Sequence, residues 1–190
     1  MGTIKATNIE PIADNGTVTL GSSGDTLTVP SGVTVAGAMA NTPAFEARLH
    51  PNNQSLNHNT STKVQCSDEI FDSNNCYDTS NYRFTPTVAG KYYCYFGLRG
   101  FAGGSEPDGV RFMLIQPSKN GSVVRDYNSD DTDPNELRTP FFSISTVIEL
   151  NGSTDYLEFF AKVYAQNLSN SGVEIITNAS YFGAYRLIGT

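Results

Sequence analysis

The sequence predicts an all-β protein built as an antiparallel sandwich or barrel. Its 17 Gly and 9 Pro residues interrupt the 190-residue chain too often for long helices or coiled coils. Eight runs rich in β-branched and aromatic residues alternate with turn signals, and no convincing helix separates them. These predicted strands cover residues 44–49, 63–66, 82–84, 92–99, 110–115, 141–150, 156–165 and 181–188.

Residues 1–42 form a segment of different texture ahead of the predicted head, residues 43–190. Alternating apolar and Thr residues at 17–20, 26–29 and 33–35 are separated by the turn sequences GSSGD and PSG. This pattern predicts a short β-ribbon stem with its apolar side chains on one face. So short a segment cannot enclose a core, so we expect it to pack against the head or against copies of itself.

One of the predicted strands competes with a helical interpretation. Residues 153–171 lack Gly and Pro, and Leu157, Phe160, Tyr164 and Leu168 recur at helical spacing. As a strand, the same stretch places one apolar set on a single face: Leu157, Phe159, Ala161, Val163 and Ala165. Because every neighbouring element is predicted as a strand, we favour the strand.

Charge and hydropathy exclude several classes of function. The net charge is −7 and there is no basic stripe, which argues against nucleic-acid binding. No run approaches the roughly 20 apolar residues of a membrane-spanning helix. The first residues lack the apolar core of a secretory signal, so Sec-dependent secretion is not expected.

The three cysteines are predicted to be structural. Cys66 and Cys76 flank a turn-rich loop and could pair in an oxidising medium, which the sequence leaves open. Cys94 lies in an apolar run and is predicted to be a small core residue. Zinc is not expected, because there is no Cys-x-x-Cys, and His50 and His58 are more typical of surface loops than of catalysts.

One acidic segment raises the alternative of weak calcium binding. It begins like an EF-hand loop, but Asp131 stands where Gly is needed and Leu137 where a bidentate Glu belongs. A solvated loop is therefore favoured, and no other cofactor is predicted. The possible calcium ligands are Asp126, Asn128, Asp130, Asp131 and Asp133.

Motifs for catalysis are missing from the sequence. There is no Gly-x-Ser-x-Gly, no phosphate-binding P-loop and no dinucleotide-binding glycine motif. A glycosidase would need two carboxylates flanking a groove, and Glu106 and Asp108 lie instead in an ordinary turn. The chain is predicted not to be an enzyme.

The middle of the chain resembles a known family. The matching stretches are FDSNNCYDT at residues 71–79, YRFTPTVAGKYYCY at 82–95 and YFGAY at 181–185. They resemble the globular-head domain of the first complement component, part of the tumour-necrosis-factor-like jelly-roll superfamily, over about residues 43–190. The resemblance implies a jelly roll that forms a homotrimer. The candidate trimer core is Tyr92, Tyr93, Tyr95, Phe96 and Tyr185.

The stem has a separate resemblance. The sequences IKATNIEPI at 4–12 and GSSGDTLTVPSGVT at 21–34 resemble the openings of fibre and virion-surface proteins of marine tailed bacteriophages. Complement heads follow a collagen stalk, but no Gly-x-y repeat occurs here, so complement partners are not expected. The stem resemblance implies a virion anchor, with the candidate residues Ile4, Ile9, Val18, Leu20, Leu27 and Val29.

Together these features predict a trimeric phage fibre or spike, assembled in the host cytoplasm and exposed on the particle. Its expected partners are two further copies of the same chain, capsid or tail proteins at the stem, and a host surface glycan at the head. The long polar loops at residues 52–62, 99–108 and 126–138 are the predicted contact loops. The alternative is a capsid decoration protein that binds no receptor; the choice between capsid and tail mounting stays open.

Overall fold

The computed structural model describes residues 18–33, 40–102, 110–130, 139–165 and 173–188. The chain divides into two compact units, Met1–Ala36 and Gly37–Thr190. Within the described ranges every regular element is a strand. No helix in these ranges has the length and hydropathy to cross a membrane.

The first unit contains the predicted turns but no strand between residues 18 and 33. Asp25 N donates to Ser22 O at 3.0 Å, and Val33 N donates to Pro30 O at 3.3 Å. Gly21, Gly24 and Gly32 have positive φ angles, which these turns require. The predicted ribbon is therefore not formed among these residues of a single chain, because the apolar–Thr runs have no hydrogen-bonded partner strand there.

The described residues of the second unit, here called the head, form fourteen strands. They are β1 (Ala44–Arg48), β2 (Gln54–Leu56), β3 (Thr62–Lys63), β4 (Asp68–Asp72), β5 (Tyr77–Asp78), β6 (Arg83–Phe84), β7 (Gly90–Ala102), β8 (Val110–Lys119), β9 (Ser122–Val123), β10 (Tyr127–Asp130), β11 (Phe141–Leu150), β12 (Leu157–Ala165), β13 (Val173–Ile175) and β14 (Tyr181–Arg186).

These strands form two antiparallel sheets. In sheet I the order is β2-β13-β7-β14-β1-β4. Strand β11 also pairs with β7, along the edge opposite β14. In sheet II the order is β10-β8-β12-β6-β5, with β3 on β12 and β9 on β8. The long strand β7 pairs with β11, β13 and β14, so it joins most of sheet I. The predicted all-β sandwich is confirmed.

Phenylalanine rings join the two sheets through the core. Phe45 of sheet I stacks on Phe84 of sheet II with 4.3 Å between ring centroids. Phe96 of sheet I meets Phe159 of sheet II at 5.3 Å and stacks on Phe182 at 5.0 Å. All five rings are at most 1% exposed. Burying such large side chains is the main favourable contribution to the free energy of folding.

Each of the eight predicted runs overlaps a strand, although the run at 63–66 does so by Lys63 alone, and residues 157–165 form strand β12 rather than a helix. Leu157, Phe159, Ala161 and Val163 are buried on one face, as the strand interpretation predicted. The strands that the sequence did not reveal are β2, β4, β5, β9, β10 and β13. They have two to five residues each and are largely polar, so their alternation is too short to detect.

On the opposite face of β12, Glu158 is also buried, at 3% exposed. Its Oε1 lies 2.6 Å from Lys63 Nζ and 3.1 Å from Arg83 Nη2. The Arg83 guanidinium lies over the Tyr156 ring at 3.7 Å. The carboxylate is thus neutralised by two cations from β3 and β6, which allows a charge to be buried between short strands.

All three cysteines are buried and free. Cys94 lies in the core, as predicted, and burial raises the pKa of its thiol to about 12. Burial likewise raises the pKa of the Cys66 thiol, and the backbone carbonyl of Cys66 accepts a hydrogen bond from Tyr77 Oη at 2.7 Å. Raised thiol pKa values suit structural cysteines, because the reactive species is the thiolate.

Candidate functional site

The outer face of sheet I carries a patch of aromatic and apolar side chains, here called the aromatic face. On β7 the residues Tyr92, Cys94 and Phe96 point into the core, so Tyr93 and Tyr95 point outward. Cross-strand partners share a face, which adds residues from β4, β11 and β14. Its members are Phe71, Tyr93, Tyr95, Phe141, Val147, Tyr181 and Tyr185.

The rings of the aromatic face form a continuous row. Tyr93 lies 5.3 Å from Tyr185 and 6.5 Å from Tyr95, measured between ring centroids. Tyr95 lies 6.3 Å from Tyr181, which in turn lies 6.5 Å from Phe141. The row therefore crosses three adjacent strands, β14, β7 and β11.

Two glycines let the tyrosine rings lie against the sheet. Gly97 pairs with Tyr181, and Gly183 pairs with Tyr95. A Cβ at Gly97 would be 2.3 Å from Tyr181 Cε1, and one at Gly183 would be 2.3 Å from Tyr95 Cζ. Each ring thus occupies the space above the glycine on the neighbouring strand. The result is a flat aromatic surface rather than a row of projecting side chains.

Much of this surface is exposed in the single chain. Phe141 is 53% exposed, Val147 50%, Phe71 46% and Tyr185 37%. In sheet II, by contrast, Val123 on β9 is the one exposed large apolar side chain within a described strand. A contiguous apolar patch on one face marks an interaction surface.

Polar side chains of β1, which lies between β14 and β4, separate Phe71 from the tyrosines of the aromatic face. Tyr95 Oη donates to Glu46 Oε2 at 2.8 Å. Burial and the carboxylate of Glu46 both raise the pKa of Tyr95, so its hydroxyl stays a protonated donor at neutral pH. Arg48 pairs with Asp68 at 2.6 Å on the same face. Protein interfaces likewise combine apolar side chains with hydrogen-bonded polar groups.

The five residues predicted for the trimer core separate into two groups. Tyr93, Tyr95 and Tyr185 lie on the aromatic face. Tyr92 and Phe96 are 0% exposed within the chain's own core, which corrects their assignment to an interface. Burial raises the pKa of Tyr92 to about 12, and its hydroxyl donates to Val88 O. The prediction pooled both faces of one strand, although successive side chains alternate.

The prediction also missed members of the aromatic face that other strands contribute. Tyr181 has the same parity as Tyr185 on β14, so alternation alone places both on one face. Phe141 and Val147 share a parity on β11 in the same way. Phe71 could not be found by this means, because β4 contains a bulge opposite Glu46 and Ala47 that breaks the alternation.

A polar pocket of about 240 Å³ lies past the end of β1. The side chains that matter most for its chemistry are His50, Asn52, Asn53, Gln65, Ser67 and Tyr82. Asn52 and Asn53 belong to the predicted contact loop at residues 52–62. The other lining positions come from the segments after β1 and β3 and before β6, which the sequence did not bring together.

The described residues cover only part of the possible calcium site. Tyr127–Asp130 is strand β10 rather than a loop, which holds Asn128 in an extended ladder with β8. Asp126 accepts a hydrogen bond from Gln116 Nε2 at 2.7 Å. Asp131 and Asp133 lie outside the described residues, as does the side chain of Asp130. In the described part of the chain no group of three His, Cys, Asp or Glu is placed to hold a metal.

The predicted anchor residues that the structure describes are exposed. The exposed fractions are 40–64% for the described anchor residues Val18, Leu20, Leu27 and Val29, and Ile4 and Ile9 lie outside the described residues.

The two histidines have no catalytic partner among the contacts that the structure describes. His50 Nδ1 lies 3.1 Å from Asn178 Oδ1. The His58 ring lies 4.5 Å from the Tyr164 ring. Neither contact has the form of a nucleophile and its general base.

Comparisons with solved structures define the class of fold. Eiger TNF from S. frugiperda superimposes with a TM-score of 0.51 at 9% identity, over 77% of this chain and 93% of its own. Murine APRIL gives 0.50 at 12% identity, over 76% and 98%. The zebrafish complement 1qA globular domain gives 0.49 at 17% identity, over 76% and 96%. The Eiger and APRIL superpositions show that the head has a jelly-roll fold like that of tumour-necrosis-factor proteins.

No protein-family model and no curated protein sequence matches the chain. Likeness at such low identity establishes the fold alone, so the function must be argued from the two surface features of the head.

Proposed function

We propose that this protein is a non-enzymatic virion-surface protein of a bacteriophage. In this proposal the head forms a homotrimer through the aromatic face, and residues 1–42 anchor it to capsid or tail proteins. The head then projects from the particle and contacts the host surface. The observation that carries the proposal is the flat, half-exposed aromatic face of sheet I.

The aromatic face supports self-association in two ways. Its apolar side chains lie exposed in the single chain, at a free-energy cost of about 25 cal/mol for each Å² left in water. Its flatness, set by Gly97 and Gly183, suits packing against another protein surface rather than enclosure of a small molecule. Tyrosines give large contact area with little entropy to lose, which favours their use at interfaces.

A second copy of this chain is the partner that the fold and the sequence favour. The sequence resemblance to complement-type heads implies a homotrimer, and the head has the corresponding jelly-roll fold. Cyclic association of identical chains would cover the aromatic face of every copy at once. The virion assignment rests on the resemblance of residues 4–12 and 21–34 to phage fibre openings.

The proposal is tested by measuring the mass of the purified chain in solution. Sedimentation or light scattering is expected to give three times the chain mass of 20.6 kDa. Val147→Lys, in the aromatic face, is expected to yield a folded monomer, because an ammonium would be buried without a partner. Val123→Lys, at a similarly exposed valine in sheet II, is the matched control and should remain trimeric.

A wild-type chain that stays monomeric at high concentration would exclude the trimer. Equal masses for the Val147→Lys and Val123→Lys chains would show that association uses another surface. The virion assignment needs a separate measurement, in which imaging of the particle locates the chain at defined positions. Absence of the chain from purified particles would exclude this part of the proposal.

A decoration protein would differ from an attachment head in one phenotype. If the chain only braces the capsid, particles carrying residues 1–42 without the head should adsorb normally to host cells. If the head contacts the host, those particles should adsorb poorly while remaining intact.

A further inference from the structure

We propose that the polar pocket past the end of β1 is a binding site for a neutral sugar. This inference deepens the proposed function, since it names the class of host-surface ligand that the head would contact. It rests on the charge, rigidity and unused hydrogen-bonding groups of the pocket.

The described residues that line the pocket include no Asp, Glu, Lys or Arg. Its polar groups are amides, a hydroxyl, a phenol and an imidazole. The carboxylates close by are already engaged: Asp68 forms an ion pair with Arg48, and Glu174 accepts a hydrogen bond from the neutral side-chain amide of Asn53. An ionic ligand would therefore lose its hydration without gaining a counter-charge, which favours an uncharged ligand.

Hydrogen bonds to three side chains fix the pocket's framework. Gln54 Nε2 donates to Lys63 O at 2.8 Å, and its Oε1 accepts from Gln65 N at 2.9 Å. Asn53 Oδ1 accepts from Thr177 N at 3.0 Å. Ser67 Oγ donates to His50 O. Because these groups are already ordered, a ligand would not pay their ordering entropy.

The pocket also presents groups with unused hydrogen-bonding capacity. Within the described residues, the side-chain amides of Asn52 and Gln65 and the hydroxyl of Tyr82 have no hydrogen-bond partner. His50 Nδ1 lies 3.1 Å from Asn178 Oδ1, and in the tautomer in which Nδ1 donates to this oxygen, Nε2 is an acceptor. The pocket thus offers both donors and acceptors.

A sugar matches this set better than other neutral ligands. Each sugar hydroxyl donates and accepts, as does each free amide, so pairs of neighbouring hydroxyls can satisfy both atoms of an amide. The aromatic side chain of Tyr82 can cover the C–H face of a sugar ring. The volume of about 240 Å³ is below the roughly 300–1,000 Å³ of pockets for drug-sized ligands, which suits one ring.

The aromatic face contains none of the pocket residues, so trimerisation through that face would leave three pockets. Each site alone would bind weakly, and three on one head would gain avidity on a glycan-coated cell. Because a single chain builds the whole pocket, sugar binding does not require the trimer.

The test is a titration of the isotope-labelled full-length chain, followed by amide chemical shifts. The probes are glucose, galactose, mannose and N-acetylglucosamine, with glucuronate and glucosamine as anionic and cationic counterparts of glucose. At least one neutral sugar is expected to give saturable shifts at residues 50–54, 65–67 and 82. The two charged sugars are expected to bind more weakly than the neutral one.

Variants then assign the binding to the pocket. The double variant Asn52→Ala/Gln65→Ala removes two exposed, unpartnered amides, so the fold should persist, as the unchanged shifts of the core would show. Its dissociation constant is expected to rise roughly tenfold or more, the loss of two neutral hydrogen bonds. Asn128→Ala, at an exposed asparagine on β10, is the matched control and should bind like the wild type.

Each contrary outcome overturns the inference. It fails if no neutral sugar shifts the pocket residues, if glucuronate or glucosamine binds more tightly than the best neutral sugar, or if the double variant binds like Asn128→Ala. These failures are distinct from failure of the proposed function. A trimer that binds no sugar contradicts only this inference, and a monomer that binds sugar contradicts only the trimer.

Discussion

At the scale of single residues, the aromatic face depends on two positions that have no side chain. Gly97 has an ordinary backbone conformation, so the space above it, rather than its φ angle, excludes larger residues. That space is filled by the Tyr181 ring, whose Cε1 would lie 2.3 Å from an added Cβ. The glycine and the tyrosine therefore form one packing unit across two strands.

We expect Gly97→Ala to destabilise the head by about 1–3 kcal/mol, the usual cost of overpacking. The ring must leave its place, because the Cβ cannot move without the strand. In a Tyr181→Ala background the same substitution should cost far less, since the clash is gone. Chemical denaturation of the four chains gives the coupling energy, and additive effects would contradict the packing unit.

The buried Glu158 carboxylate illustrates a different dependence on neighbours. Lys63 and Arg83, the two cations that pair with it, are each about a third exposed. Glu158→Gln removes the charge but keeps the shape, so both cations lose their counter-ion. The expected cost is about 3 kcal/mol, at the lower end for a broken buried pair, because water can still reach the cations.

Denaturant unfolding of Glu158→Gln measures this cost, with Glu149→Gln as the control. Glu149 lies exposed on β11, so its substitution should change the free energy of unfolding by no more than about 0.5 kcal/mol. Equal stability of the two variants would show that the ion pairs of Glu158 with Lys63 and Arg83 make no measurable contribution to the free energy of unfolding.

At the scale of elements, the sequence was informative wherever a strand is long and alternates. Strand β12 was favoured over a helical alternative because its neighbours were all predicted as strands, and its buried side chains do alternate as a strand requires. Short strands such as β9 and β13, of two and three residues, carry no such repeat. Their existence depends on pairing with β8 and β7, a tertiary effect that local sequence does not contain.

The functional surfaces show the same division. Successive side chains of a strand alternate between its two faces, and this alternation along β7 and β14 is enough to place Tyr93, Tyr95 and Tyr185 on one face once the strands are known. The pocket was beyond prediction, because the segments around His50, Gln65 and Tyr82 are distant in sequence and meet only in the folded head. The stem was predicted from alternation alone, and its pairing with other copies stays a prediction.

The turn before β12 contains a carboxylate, Asp155, whose contacts make the stability of the fold depend on pH. Asp155 accepts from Lys119 Nζ at 2.8 Å and from Asn120 Nδ2 at 2.7 Å, so it ties this turn to the end of β8. The hydrogen bond from Lys119, followed by that from Asn120, lowers the pKa of Asp155 below its usual 3.8. A carboxylate whose pKa is lower in the folded state stabilises the fold above its unfolded pKa.

This contribution is therefore present at neutral pH and is lost as the pH falls below about 4 toward the folded pKa. Asp155→Asn should be less stable than the wild type at pH 7 and lose less stability on acidification. Lys119→Met, which removes the first cause of the shift, should show part of the same change. Unfolding free energies measured from pH 7 to pH 2 decide this, and parallel curves for the three chains would contradict it.

At the scale of the whole molecule, association and folding become one equilibrium. If three heads bury their aromatic faces together, the folded state is stabilised by mass action, since the assembled form cannot exist with unfolded chains. The stability of a trimer then depends on chain concentration, whereas the stability of a monomer does not. The concentration dependence of stability therefore distinguishes a trimer from a monomer, and no image of the assembly is needed.

We expect the melting temperature of the wild-type chain to rise as its concentration is raised, and that of Val147→Lys to stay constant. Val123→Lys should follow the wild type, because Val123 lies on β9 in sheet II, away from the aromatic face. Thermal unfolding monitored by circular dichroism over a wide dilution series measures all three. A wild-type melting temperature that is independent of concentration would contradict stabilisation of the fold by association of copies of this chain.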